Sequence, residues 1–575
     1  MTERTIRGHP ASSGAAVGPA WSYAAAQPGP SGTPQEERTR VETGLRLAAE
    51  ELSSLAATLR AEGHEADADI VETNRLMAED SALVEAALAA AEDGLPAAAA
   101  IAKAAEPHVH ALAGLDDPTL AARAADLRSI ARRAGELAAG VSGHPPAGAI
   151  VLADDLGPAD VAGWARLVAG IALSGSGVTA HAAIVARSLA IPLVTGVGEA
   201  LLEVPDGEEL AVDADRGLVV RRMEGGTRAR LERRMSTARE EARRSRSERL
   251  DPAVTIDGRA VRLLANAGTV AEVEAALEAG AEGIGLLRSE LAFLDARGWP
   301  SEAEHAVALG PMLAPLADRI ATVRTLDFGG DKTPPFLLGT GAQSPLGPRG
   351  IRLALAAEDG VEPQLRAMIR VSADAVLRIL IPMVTEAAEV EAVRALANRA
   401  RDAVAPNAPD PLVGAMIEVP AAALNAHPIA ACCDFLSIGT NDLVQYTLAA
   451  DRQNPDVAER AVAYHPAVIR LIARVVAAAR TAGIPVDVCG EAAGDAEILP
   501  LLVGLGVDEV SVSPSRIAGT RRMIRSLSLQ RARSLAADAL VATTAAGVAA
   551  IACSAFGDPE SGERREQAGD RLERL

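Results

Sequence analysis

The stretch Gly170-Ile-Ala-Leu-Ser-Gly-Ser-Gly-Val-Thr-Ala-His-Ala-Ala-Ile-Val-Ala-Arg-Ser-Leu189 holds a strand, a turn and a helix in succession. The aliphatic run 170–174 reads as a strand and Gly175 and Gly177 break it. Ala182, Ala183, Ile184, Val185, Ala186 and Leu189 then form the apolar face of a helix. His181 falls in the first turn of that helix, where unpaired N–H groups and the positive end of the helix dipole favour an anion, most naturally a phosphate. The same field opposes imidazolium and leaves a ring nitrogen free as a nucleophile near neutral pH. A histidine in this position can also do no more than cap a buried helix. Close backbone approach at Gly175 and Gly177, the hydroxyl of Thr179 and the nearby Arg187 favour a phosphorylatable histidine.

Outward from this segment, short strands recur at 149–153, 191–195, 209–213 and 218–221, a small α/β unit. Before it, residues 5–24 contain Ala11-Ser-Ser-Gly-Ala-Ala-Val-Gly18, read as one strand that must pair elsewhere. Between the two lie helical patterns at 36–62, 66–77, 81–92, 96–112 and 118–139, with Pro and Gly mainly at the joints. Asp116-Asp117-Pro118 signals one helix start through an Asp cap and a Pro at the first position. The helical bundle is thus an insertion in the α/β unit. Residues 226–250, rich in Arg and Glu and lacking a broad apolar face, read as a solvated spacer helix.

The last 300 or so residues repeat one unit. Strands are expected at 261–266, 283–287, 321–326, 377–384, 413–418, 435–438, 486–489 and 509–512, most of them separated by amphipathic helices. Eight such units make a (β/α)8 TIM-type barrel, whose active site lies where the strands end. The fold class is therefore multidomain α/β: a small α/β domain with an inserted helical bundle, followed by the barrel.

A chain of 575 residues is too long for one core. Its apolar runs are all interrupted by charges, Gly or Pro, so no membrane insertion is expected. No leader pattern is visible, and a cytoplasmic location is expected. The formal charge of −21 argues against binding nucleic acid through bulk charge, so a phosphorylated ligand must be held by local arginines. The four cysteines show no metal-ligand spacing and are expected to be reduced thiols.

Polar residues collect where the barrel strands should end: Asn266, Arg288-Ser-Glu290, Arg324 through Lys332, Glu418, Asn441-Asp442 and Cys489-Gly-Glu491. A single one would be an ordinary loop residue, but six strand ends agreeing point to one mouth. Arg288, Arg324 and Arg349, with Lys332 and Arg452, suit a small ligand bearing both carboxylate and phosphate. Glu418 and Asp442 are the carboxylates for a hard divalent ion such as Mg²⁺. Cys489 admits two readings, a buried structural thiol or a proton donor. The second is preferred because the mouth holds no other obvious acid placed for carbon.

These motifs, joined by Asp126-Leu-Arg-Ser-Ile-Ala-Arg-Arg133, Gly283-Ile-Gly-Leu-Leu-Arg288, Ile417-Glu-Val-Pro-Ala421, Phe435 to Asp442 and Asp451-Arg452, resemble enzyme I of the bacterial sugar phosphotransferase system, the phosphoenolpyruvate-protein phosphotransferases. The likeness runs from about 5 to 555. It implies His181 as the histidine phosphorylated on Nε2, and Arg288, Arg324, Asn441 and Arg452 as phosphoenolpyruvate-binding residues, with Arg349 a further phosphate contact. It also implies Glu418 and Asp442 as Mg²⁺ ligands and Cys489 as the acid that protonates the enolate to give pyruvate. The phosphoryl group would pass to a histidine of the phosphocarrier protein HPr, docked on the helical insertion, and the barrel would form a homodimer. Two departures stand out: Ser176 and Ala180 replace the usual Gly and Ser before the histidine. The segment carrying Arg349 is also shorter by a residue.

The expected domains are 1–24 plus 145–225 (phosphohistidine α/β), 25–144 (helical, HPr-binding), 226–252 (linker helix), 253–555 (barrel, dimerisation) and 556–575 (flexible tail). Such a chemistry asks the phosphohistidine domain to swivel between barrel mouth and acceptor. One alternative is a pyruvate phosphate dikinase or phosphoenolpyruvate synthase, which shares both parts but needs a large ATP-binding region that the 140 mostly helical N-terminal residues lack. Another is a docking protein without turnover, against which the full set of mouth residues speaks.

Overall fold

The computed structural model describes residues 3–23, 32–61, 65–114, 118–140, 145–175, 181–189, 191–330, 332–372, 374–452, 454 and 457–554. It divides into two compact units, Met1–Arg243 and Arg244–Leu575.

The first unit holds an eight-stranded sheet. Its strands are β1 (Arg4–Arg7), β2 (His9–Ser12), β3 (Ala15–Ser22), β4 (Ala149–Ala153), β5 (Val168–Leu173), β6 (Leu193–Thr195), β7 (Glu209–Asp213) and β8 (Leu218–Arg221), in the order β1-β8-β7-β3-β4-β5-β6-β2. The single strand expected near the N-terminus is in fact three. Gly14 turns the chain at φ +116°, and each short strand pairs with a remote partner: β1 with β8, β2 with β6, β3 with both β7 and β4. Local pattern shows none of those pairings.

The parallel pairing of β3 with β4 closes the sheet across the helical insertion, α1 (Pro34–Ala61), α2 (Glu65–Ala78), α3 (Ser81–Glu92), α4 (Ala97–Ala113) and α5 (Pro118–Ala138). Helix α5 begins at the expected Pro118, while Asp116 and Asp117 lie outside the described residues. Asp80 caps α3 by accepting from the N–H groups of Ala82 and Leu83. Val41, Leu45, Leu83, Ile101 and Leu127 form the bundle core. The bundle is joined to the sheet by a cluster in which Trp21, Tyr23 and Trp164 pack at ring-centroid distances of 4.8–5.7 Å. The Arg132 guanidinium lies 4.7 Å from the Tyr23 ring centroid and donates to Asp160 at 2.7 Å, and Tyr23 donates to Glu136 at 2.7 Å.

Two further short helices, α6 (Pro158–Gly163) and α7 (His181–Ser188), cover one face of this sheet. Helix α8 (Gly225–Ser247) spans the division between the units, and Leu231 is the buried one among its described side chains. Its remaining described positions are exposed or half-buried, as the sequence of a spacer helix requires.

The second unit is a closed parallel barrel of β9 (Arg262–Ala267), β10 (Gly283–Arg288), β11 (Ile320–Arg324), β12 (Val376–Ile381), β13 (Leu412–Ile417), β14 (Phe435–Ile438), β15 (Val486–Val488) and β16 (Glu509–Val512). Each lies where the sequence places it. The expected extensions at 325–326 and 382–384 leave the strand as loops at the mouth. Outer helices bury Val390, Val393, Leu396, Leu471, Ile472 and Val475 against the strands. Inside, Leu286, Leu380, Met416, Phe435 and Cys489 form an apolar cluster. Trp299 packs on Phe328 and Phe336 in the loop layer. No helix among the described residues is long and apolar enough to cross a membrane.

Candidate active site

In the first unit, β5 is followed by Ser174, whose hydroxyl donates to Asp154 at 2.6 Å, and the Gly175 N–H donates to the Asp154 carbonyl at 3.0 Å. The next helix, α7, starts at His181, as its apolar pattern requires, and buries Ala182, Ala183, Val185 and Ala186. Arg187 donates to the Ala11 carbonyl at 2.9 Å, so it ties α7 to β2. Ser176, Gly177, Thr179 and Ala180 lie outside the described residues, as does the His181 side chain.

In the second unit the strand ends converge. Arg324, at the end of β11, is 5% exposed and pairs with the fully buried Glu290, which follows β10, and with Asp327 at 3.4 Å. Lys332 lies 3.0 Å from Glu290 and 3.6 Å from Asp327. Arg349 grips Asp327 with two donors at 3.2 and 2.8 Å, reaches Asp442 at 3.3 Å, and donates to Tyr446 at 3.1 Å. Tyr446 in turn donates to the Pro345 carbonyl at 2.7 Å. Arg324, Lys332, Arg349 and Asp442 are therefore one network. Its counter-ions Glu290 and Asp327, and the hydroxyl of Tyr446, are additions that strand-end polarity alone did not assign.

Buried charges survive only when paired. Burial alone would lower the Arg324 guanidinium; Glu290, Asp327 and Glu418 outweigh it and hold the group above its ordinary range. Burial opposes ionisation of Glu290 and Asp327, yet Arg324, Lys332 and Arg349 keep both carboxyls low. Glu418, at the end of β13, differs. Its Oε1 accepts from the Met383 N–H at 2.7 Å, while burial, Asp442 and Asp327 push it up to about 8. Among the described residues, three cationic side chains (Arg324, Lys332, Arg349) thus face four carboxylates (Glu290, Asp327, Glu418, Asp442). Two oxygen-donor groups, one of them kept protonated by its buried, acidic surroundings, suit a divalent cation that would take the place of the proton. That cation would reverse the local sign in favour of an anionic ligand.

The other expected residues surround this network. Arg288 stands on the rim with its side chain 38% exposed, 3.9 Å from Glu272, and its Nε is buried without a hydrogen-bond partner among the described residues. Asn441, after β14, accepts from the Glu491 N–H at 3.0 Å and so ties the β14 and β15 loops together. Gly490 allows that approach: a Cβ there would fall 1.8 Å from Thr440 Oγ1. Cys489 is 4% exposed in the barrel interior; burial, then Asp487, push its thiol up, so it remains protonated at neutral pH. Asn266 donates to the Cys489 carbonyl at 2.9 Å. Arg452 is exposed and makes no ion pair among the described residues.

Three family models match the chain: "PEP-utilising enzyme, PEP-binding domain" over 242–529, "PEP-utilising enzyme, N-terminal" over 7–123, and "PEP-utilising enzyme, mobile domain" over 145–217. A phosphoenolpyruvate-protein phosphotransferase of Geobacillus stearothermophilus is 36% identical over 549 residues, covering 92% of this chain and 95% of its own. A multiphosphoryl transfer protein of Rhodobacter capsulatus is 42% identical over 443 residues, 76% of this chain. The chain spans about half (53%) of the length of that relative. A solution structure of Enzyme I overlaps 41% of the chain at 28% identity with a TM-score of 0.33, a likeness too slight to bear on the fold. With the barrel matched by a phosphoenolpyruvate-binding model, the sheet around α7 by a mobile-domain model, and one relative shared almost end to end, the chain belongs to the PEP-utilising enzymes, among the phosphoenolpyruvate-protein phosphotransferases.

Proposed function

We propose that the chain transfers the phosphoryl group of phosphoenolpyruvate to His181, releases pyruvate, and passes the phosphoryl group on to a histidine of the phosphocarrier HPr. The observation that carries this reading is the buried network of Arg324, Lys332 and Arg349 at the barrel mouth, beside the carboxyls of Glu418 and Asp442. Its counter-ions fix the guanidinium planes before a ligand arrives, so little ordering remains for binding. In this reading Arg288, Arg324, Arg349, Lys332, Asn441 and Arg452 hold the carboxylate and phosphate of the substrate.

Glu418 and Asp442 would hold Mg²⁺, which when bound supplies positive charge against the phosphoryl group and the developing enolate. The His181 ring nitrogen accepts the phosphoryl group, the P–O bond to enolpyruvate breaks, and the Cys489 thiol gives its proton to the methylene carbon, completing pyruvate. The domain expectations belong to the same proposal: α1–α5 as the HPr-docking part, α8 as linker, and the barrel as the homodimer contact.

The test is incubation with Mg²⁺ and radiolabelled phosphoenolpyruvate, followed by HPr or nucleotide. Acid-labile, base-stable label on His181 that passes to HPr without nucleotide is expected. Label that passes to AMP, or that stays in place without pyruvate turnover, overturns the proposal.

A further inference from the structure

Below the mouth, toward the strand starts, the barrel interior holds a second polar cluster. Asp487 lies two residues before Cys489, the spacing that puts both on the same, inward face of the strand. It is 3% exposed, and both its oxygens are engaged: the Ser437 hydroxyl donates to Oδ2 at 2.9 Å and the Ser511 hydroxyl to Oδ1 at 3.0 Å. Gly285 makes room for this arrangement, because a Cβ there would fall 1.8 Å from Ser511 Oγ. The Cys489 thiol faces the Ile438 carbonyl at 3.7 Å, one residue after Ser437 on β14, and the Ser437 side chain is close enough to oppose the rise that burial and Asp487 impose on the thiol. Ser437 thus stands between the Asp487 carboxyl and the stretch of β14 that the thiol faces.

The charges around Asp487 leave it without a cation. Arg378 of β12 gives both its donors to Glu509 of β16, at 2.6 and 3.2 Å, and Arg262 of β9 also donates to Glu509. Asp487 makes no ion pair among the described residues. A buried carboxyl in that position is favoured as the neutral acid. Burial and the Glu509 charge raise it to about 8, against the two serine hydroxyls and the Arg378 charge. Solvent approaches from the far end, where a cavity of about 440 Å³ is lined by Arg262, Glu282, Asp508 and Glu509.

We propose that Asp487 is the acid that reprotonates Cys489 through the Ser437 hydroxyl, with its own proton regained from water at the barrel end opposite the mouth. The inference rests on the reading of Cys489 as donor to carbon. After the thiol has protonated the enolate, the Ser437 hydroxyl turns from Asp487 to the thiolate sulfur and gives it its proton, the Ser437 oxygen accepts the proton of the Asp487 carboxylic acid, and water returns a proton to the Asp487 carboxylate. Each bond broken to hydrogen is matched by one formed, and no oxidant or reductant enters. Asp487 touches no substrate and acts through Cys489.

The experiment follows pyruvate release in the full-length protein with phosphoenolpyruvate, Mg²⁺ and excess HPr. Wild-type turnover is the control for the underlying reading. In Asp487→Asn the first thiol proton is already in place, so one pyruvate per site should appear at the wild-type rate, followed by a steady state slower by at least ~10-fold. Wild-type kcat should fall as pH rises through about 8, and Asp487→Asn should lose that limb while KM stays unchanged. Ser437→Ala should reproduce the burst and the slow phase, and it decides the matter if Asp487→Asn does not fold. A Cys489→Ala variant with full turnover overturns both readings. A slow Cys489→Ala beside Asp487→Asn and Ser437→Ala that both keep the wild-type rate and alkaline limb overturns the relay alone.

Discussion

Arg324 shows how one residue commits its neighbours. With the guanidinium almost wholly buried, Glu290 and Asp327 supply the counter-charge that its burial demands, and they in turn are held by Lys332 and Arg349. Glu290→Gln should therefore destabilise the fold by about 3–5 kcal/mol in urea unfolding, because it leaves a buried cation short of a partner. His181→Ala is expected to abolish labelling by phosphoenolpyruvate while binding, measured calorimetrically, remains. His305 makes a prediction about pH. It is fully buried against Phe293, 4.8 Å between ring centroids, and neither ring nitrogen has a partner among the described residues. Burial lowers its pKa from 6.5 to about 4. The folded state thus prefers the neutral ring more than the unfolded chain does. Stability should be complete above pH 6.5 and fall as pH drops toward 4, by up to about 3 kcal/mol. His305→Phe should flatten that limb in melts recorded from pH 7 to 4.

At the scale of elements, the junction of β15 with its loop is the tightest point of the mouth. Gly490 has φ −80°, which any residue adopts, so glycine is required there by space alone: a Cβ would meet the Thr440 side chain at 1.8 Å and its backbone N at 2.8 Å. Gly490→Ala should displace either Cys489 or the helix Thr440–Leu448. It should lower stability by about 1–3 kcal/mol and slow pyruvate formation, read by thermal melts and a coupled assay. All eight barrel strands are legible because buried parallel strands are short, mainly aliphatic runs, and their polar ends stand out against such runs. What was illegible has the opposite character. β1 and β2 are too short and too interrupted by Gly8, Pro10 and Gly14 to show a period, and their pairing with β8 and β6 is non-local. Glu290 and Asp327 stood among the strand-end residues, yet their task as counter-ions to Arg324 depends on distances that spacing does not encode. Asp487 is itself a signal in the sequence, a charged residue inside the short strand that runs up to Cys489.

For the whole molecule, the division at residues 243 and 244 coincides with a helix that buries little. Limited proteolysis should cut first near the end of α8, giving fragments that each melt cooperatively in calorimetry; a single indivisible transition would contradict two separate cores. The aromatic economy of the chain has a practical result. Of its three tryptophans, Trp21 and Trp164 belong to the cluster joining bundle and sheet, and Trp299 leans on Phe328, in the stretch between Arg324 and Lys332. The protein therefore carries its own optical reporters at two separate places. Emission from Trp299 should register ligand capture in the barrel, and a Trp299→Phe variant should leave only the signal of Trp21 and Trp164, with no dye attached.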